Sequence, residues 1–91
     1  MELEQIKIFL AVAEEKSFSE AARKLYISHS TTSRAVAALE DGLGVKLIER
    51  NDNRVMGLTA AGELLRERGA ELLRMADELG TECGRLGAQK N

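Results

Sequence analysis

Seven polar residues of this 91-residue chain have the types and spacing to recognise a nucleic acid. His29, Ser30, Thr31, Ser33 and Arg34 fall within six consecutive positions, and Arg50 and Arg54 follow. Hydroxyls and imidazole exchange hydrogen bonds with base edges or phosphates. A helix whose exposed N-terminal face carries hydroxyls, one His and one Arg can enter a major groove. His29 adds a ring whose type changes charge near neutral pH. Catalysis has no comparable constellation. The chain holds one His and one Cys, with no paired carboxylates in a pocket motif, no Gly-rich phosphate loop and no metal-ligand cluster. No enzymatic activity, cofactor or metal is expected.

For those five clustered side chains to read a duplex, they must sit on the free front of a helix. Ala21, Ala22 and Leu25 recur at helical spacing. Ser17 or Ser19 can cap that helix, predicted from about Ser19 to Leu25, and Ser17 with Glu20 fits a capping box. The pattern breaks at Tyr26-Ile27, and Ser28 offers a second N-cap. From there Thr32, Val36, Leu39 and Leu43 form one stripe, turning the polar residues elsewhere. Two helices joined by a tight turn, the second with a polar N-terminal face, make a helix-turn-helix. This second helix is predicted from His29 to Asp41, with Gly44 as the better left-handed residue past its end.

The flanking elements support that unit. An amphipathic helix from Leu3 to about Glu15 carries Leu3, Ile6, Phe9, Leu10 and Ala13 as its buried stripe. Two strands, Lys46–Glu49 and about Arg54–Leu58, are bridged by Asn51-Asp52-Asn53, a tip chemistry that tolerates positive φ. Arg50 and Arg54 border the tip, so the hairpin reads as a basic wing beside the reading helix. After Thr59, a plausible N-cap, a last helix runs to about Leu79 or Leu86, roughly 30–40 Å. Leu58, Leu65, Leu72, Leu79 and Leu86 recur every seventh residue, with Gly62, Gly69, Ala76 and Cys83 small at the same period. Each leucine left exposed forgoes about 1.5–3 kcal/mol of burial, and although the first one or two can pack on the domain itself, the distal ones cannot. Leu65, Gly69, Leu72, Ala76, Leu79 and Cys83 are therefore expected to form a seam with a second copy. Beyond Leu79, the stretch with Gly80, Gly84 and Gly87 is expected to fray. The fold class is mainly α: a winged helix-turn-helix over 1–58, then a linker and dimerisation helix over 59–91.

Composition agrees. Hydrophobic residues make up 44% of the chain, without an apolar run of about 18 residues that would suggest a membrane span. The N-terminal MELEQIKIF is not a secretory leader, and a single Cys fits a reducing cytoplasm. Net charge is −2, but unevenly spread. Residues 1–22 carry two Lys against five Glu, and 59–91 carry five basic against six acidic groups. Residues 23–58 carry six basic groups against four acidic ones, so the positive excess coincides with the reading surface. It is modest, and one copy should bind weakly.

Ser17-Phe18, Ala21-Ala22, Leu25, Ser28, Ser33-Arg34, Leu39-Glu40, Leu43-Gly44-Val45, Leu47, Glu49-Arg50, Leu58-Thr59 and Ala61-Gly62, in this order and spacing, resemble the N-terminal domain of LysR-type transcriptional regulators. The resemblance implies sequence-specific binding of double-stranded DNA at an interrupted inverted repeat, by a homodimer whose last helices pair antiparallel. It also implies transcriptional control in the bacterial cytoplasm, at the nucleoid, with effector sensing in a separate domain and higher oligomers open to a full-length form. Arg34 matches the family's most typical recognition-helix arginine, which the resemblance makes the first candidate for a DNA contact. His29 stands where Gln is usual, Ser30 replaces a frequent Pro, and Thr32 replaces a larger aliphatic. Ala35, Ala37 and Ala38 stand where many relatives carry Gln or Arg, and the span from Arg50 to Leu58 is one residue longer than usual. The rival expectation, kept open by the acidic balance and these alanines, is a winged-helix protein-interaction module without DNA binding.

Overall fold

A computed structural model describes residues 1–51 and 54–89. It contains α1 (Leu3–Glu15), α2 (Phe18–Leu25), α3 (His29–Leu43), β1 (Ile48–Asn51), β2 (Arg54–Leu58) and α4 (Ala60–Gln89). The fold is a winged helix-turn-helix with one long trailing helix. Asp52 and Asn53, expected at the hairpin tip, lie outside the described residues.

α1 starts with a reciprocal capping box in which the Glu2 N–H donates to Gln5 Oε1 at 3.0 Å. It packs on α2, α3, α4 and β2, so its buried surface wraps further round the helix than one stripe. Ile8, Ala11 and Val12 join Ile6 and Phe9 inside. Leu3, expected inside, is 47% exposed, and Leu10 and Ala13 are half-buried. Phe9, Val12, Phe18, Ala21, Val36, Leu39, Leu47 and Ile48 form the centre of the core.

α2 begins one residue earlier than its periodicity suggests, because Ser17 is the cap: its Oγ accepts the Glu20 N–H at 3.1 Å. Tyr26 ends it in the left-handed conformation, φ 59°, and is 95% exposed. Ser28 then caps α3 by accepting the Thr31 N–H at 3.0 Å. Thr32 is buried beneath α3, and its hydroxyl donates to the Ser28 carbonyl at 3.0 Å. α3 continues through Gly42 to Leu43 and closes at Gly44, φ 72°, the left-handed position where glycine is least strained.

The buried stripe of α3 ends differently from expectation. Leu43 is exposed, and Glu40, only 4% exposed, takes the inner position. Its Oε2 accepts the N–H groups of Leu47 at 2.8 Å and Ile48 at 3.3 Å. Lys46 Nζ lies 3.8 Å from its other oxygen. A buried carboxylate is tolerated when donors surround it. The same contacts move β1 two residues downstream of its expected start. The Leu47 N–H goes to Glu40, while the Lys46 carbonyl accepts from Thr59 Oγ1 at 2.7 Å. The Thr59 hydroxyl also accepts the Gly62 N–H at 3.0 Å, which caps α4.

β1 and β2 pair antiparallel, with Glu49 opposite Gly57 and Arg50 opposite Val55. Met56 is the unpaired extra residue on β2, a β-bulge. α4 is a single helix of 30 residues, about 45 Å long. It passes unbroken through Gly80, Gly84 and Gly87, where the sequence suggested fraying. The molecule accordingly measures 54 × 26 × 20 Å.

Candidate nucleic-acid interface

The first turn and a half of α3 carries the clustered candidates. His29, Ser30, Thr31 and Arg34 are exposed and Ser33 is half-buried. Ser28 Oγ donates to Thr31 Oγ1 at 2.8 Å and lies 3.2 Å from Ser30 Oγ. The hydroxyls at the helix start are thereby held in register around one cap. Arg34 has no ion-pair partner among the described residues. The α3 N-terminus presents its free N–H groups on the same end, a dipole that favours an approaching phosphate.

The wing reaches this surface through the start of α2. Arg54 forms an isolated antiparallel bridge with Ser17. The Arg50 guanidinium lies 4.8 Å from the centroid of the Phe18 ring, within cation–π range. The same ring stands 6.2 Å from the His29 imidazole, tilted by 46°. All seven predicted residues thus belong to two neighbouring elements, the front of α3 and the hairpin, and His29, Arg50 and Arg54 converge on Ser17-Phe18. Phe18, Tyr26 and Glu40 were not singled out by their chemistry in the sequence. For Phe18 the available signal was an aromatic directly after a serine cap. For Glu40 it was helical spacing from Val36.

The other cations near the turn are engaged within the protein. Arg23 pairs with Glu20 at 3.6 Å. Lys24 bonds Glu14 and lies 3.3 Å from Glu15, tying the ends of α1 and α2 together. The hydrogen bond and charge of Lys24 hold the Glu14 carboxyl below its ordinary value, and Glu14 in turn raises Lys24.

Along α4 the expected seam divides in two. Leu65 packs on its own core. Gly69 is buried against α1, where a Cβ would come 2.9 Å from Ile6 Cγ2. These two are occupied within the protomer, because the first turns of α4 close the domain. Leu72, Leu79 and Cys83 are exposed, with Ala76 half-buried. Leu72, Met75, Ala76 and Leu79 line an apolar groove with Leu3 from α1. No described helix is long and apolar enough to cross a membrane, and no group of three or more potential metal ligands occurs among the described residues.

Residues 3–63 match the family described as bacterial regulatory helix-turn-helix proteins, lysR family. The chain is 42% identical over 90 residues to an uncharacterised HTH-type transcriptional regulator, YfeR, of Shigella flexneri, covering 96% of this chain and 28% of that protein. Among solved structures it is similar to the BenM DNA-binding domain in complex with catB site 1 DNA (TM-score 0.88, 36% identity, 96% of each chain). It is equally similar to the complex of the CbnR DNA-binding domain with DNA (TM-score 0.88, 37% identity, 96% of this chain and 99% of that one). The chain spans less than a third of the length of the curated relatives it matches.

Proposed function

The chain belongs to the lysR family of bacterial regulatory helix-turn-helix proteins, and from that premise we propose that it binds duplex DNA as a symmetric dimer and serves transcriptional control in the bacterial cytoplasm. The single observation that carries this reading is the joint surface of α3 and the wing. Five polar side chains start a capped helix whose first residue, His29, meets the Phe18 ring that Arg50 of the hairpin stacks on, and Arg54 bridges to the neighbouring Ser17. α3 enters the major groove, with Arg34 reading a base and His29, Ser30, Thr31 and Ser33 dividing base and phosphate contacts. Arg50 and Arg54 hold the backbone beside it, towards the minor groove. Pairing through the exposed stretch of α4, with Leu72, Ala76, Leu79 and Cys83 in the seam, presents two reading helices to an interrupted inverted repeat. The BenM and CbnR complexes support the reading, since those similar domains were solved on DNA.

Selection from a random duplex library, followed by titration of the enriched site, tests it. Enriched sites should be interrupted inverted repeats, and affinity should fall steeply with salt because phosphate contacts release counterions. Arg34→Ala should weaken binding by about 1–3 kcal/mol and relax preference at one base position per half-site. A folded Arg34→Ala protein with undiminished affinity removes Arg34 from the mechanism. A wild-type chain without salt-dependent DNA binding points instead to a protein-interaction module.

A further inference from the structure

We propose that Phe18 is a positioning residue for DNA recognition, its ring fixing the Arg50 guanidinium so that the wing and the reading helix meet the duplex as one surface. The proposal rests on the DNA-binding reading above. Phe18 is 2% exposed and sits in the core cluster with Phe9, Val36 and Ile48. Its ring is therefore held by core packing, and its backbone by the Ser17 cap and the bridge from Ser17 to Arg54. Arg50, by contrast, is exposed on the outer strand of a small hairpin. A free arginine there loses rotamer freedom when it grips a phosphate, which lowers affinity. Stacking at 4.8 Å on a fixed aromatic face removes part of that freedom beforehand. Arg50 sits directly after the register shift, opposite Val55, with the extra residue Met56 on the partner strand. The same ring meets His29, the first residue of α3, at 6.2 Å. One buried aromatic thus touches both halves of the reading surface. An aliphatic residue of similar size could fill the core, but it has no π face to attract the cation.

A double-mutant cycle on a selected operator duplex, read by fluorescence anisotropy, separates this role from packing. Phe18→Leu should weaken binding roughly two- to fivefold in the wild-type background, the range of an exposed cation–π contact. In an Arg50→Ala background it should change affinity little. Equal losses in both backgrounds would overturn the proposal, because a purely structural Phe18 acts independently of Arg50. Should Phe18→Leu fail to fold by circular dichroism, the wild-type protein still decides. The Arg50 δ-protons should be shifted upfield by the ring current, and random-coil positions would overturn the contact. A wild-type chain that binds no duplex sinks the DNA reading itself, whereas a binding wild type with no coupling sinks only the role of Phe18.

Discussion

Glu40 is the residue at which pattern and chemistry diverge most. A charged side chain beside an apolar stripe reads as solvated, yet here its burial supplies an acceptor to the N–H groups of Leu47 and Ile48. Periodicity alone could not show this, because the demand comes from residues seven and eight positions away. Glu40→Ala should cost about 1–3 kcal/mol, since two buried donors lose their partner. The urea midpoint should fall with an unchanged m value. The front of α3 was legible for the opposite reason: a local cap at Ser28 fixes where the helix starts, and so which hydroxyls face outward. The Lys24–Glu14 pair gives a further residue-scale prediction. Glu14 is lowered in the folded state, so its contribution is present above the ordinary value of 4.5 and lost as pH falls through the folded value. Lys24 is raised, so its contribution is present below 10.5 and lost as pH rises through the folded value. The melting-temperature gap between wild type and Lys24→Met should therefore be constant between these limits and narrow beyond them. It should also shrink with salt, because both groups are exposed.

At the scale of elements, the glycines of α4 fall into two kinds that sequence treats alike. Gly62 lies against the wing entry, where a Cβ would overlap the Leu47 carbonyl oxygen and come 3.0 Å from its carbon. Gly80, Gly84 and Gly87 have nothing within 4 Å of that position. Gly62→Ala should therefore destabilise the domain, because backbone must move. Gly80→Ala should instead raise helix stability by about 0.8–1.0 kcal/mol, the propensity difference between the two residues. Thermal unfolding followed at 222 nm checks both signs. The seven-residue recurrence marked an apolar stripe along α4. It could not show that Leu65 and Gly69 are claimed by α1 and the core, because that depends on where the helix docks. The hairpin was legible as a pair of strands, but β1 moved once Lys46 and Leu47 were engaged by Glu40 and Thr59. The bulge at Met56 was not readable from the strand pattern, because it depends on the register.

For the whole molecule, the governing asymmetry is between a packed three-helix body and a helix that leaves it. Residues 77–88 are exposed throughout, and Leu79 is 64% exposed. Leu79→Glu should leave the circular dichroism of the domain unchanged while converting a dimer to a monomer in sedimentation. An unchanged mass would place the contact between copies elsewhere. In the proposed dimer the projecting span also acts as a measuring rod. Each residue of an α-helix advances about 1.5 Å and turns about 100°, so the separation of two paired bodies and their relative phase cannot be adjusted independently. Seven added residues would part the bodies by about 10 Å with a drift of only about 20°. One or two added residues would instead swing the bodies out of phase, onto different faces of the same duplex. In the proposed dimer, insertions that keep the two bodies on one face should therefore come in near-whole heptads.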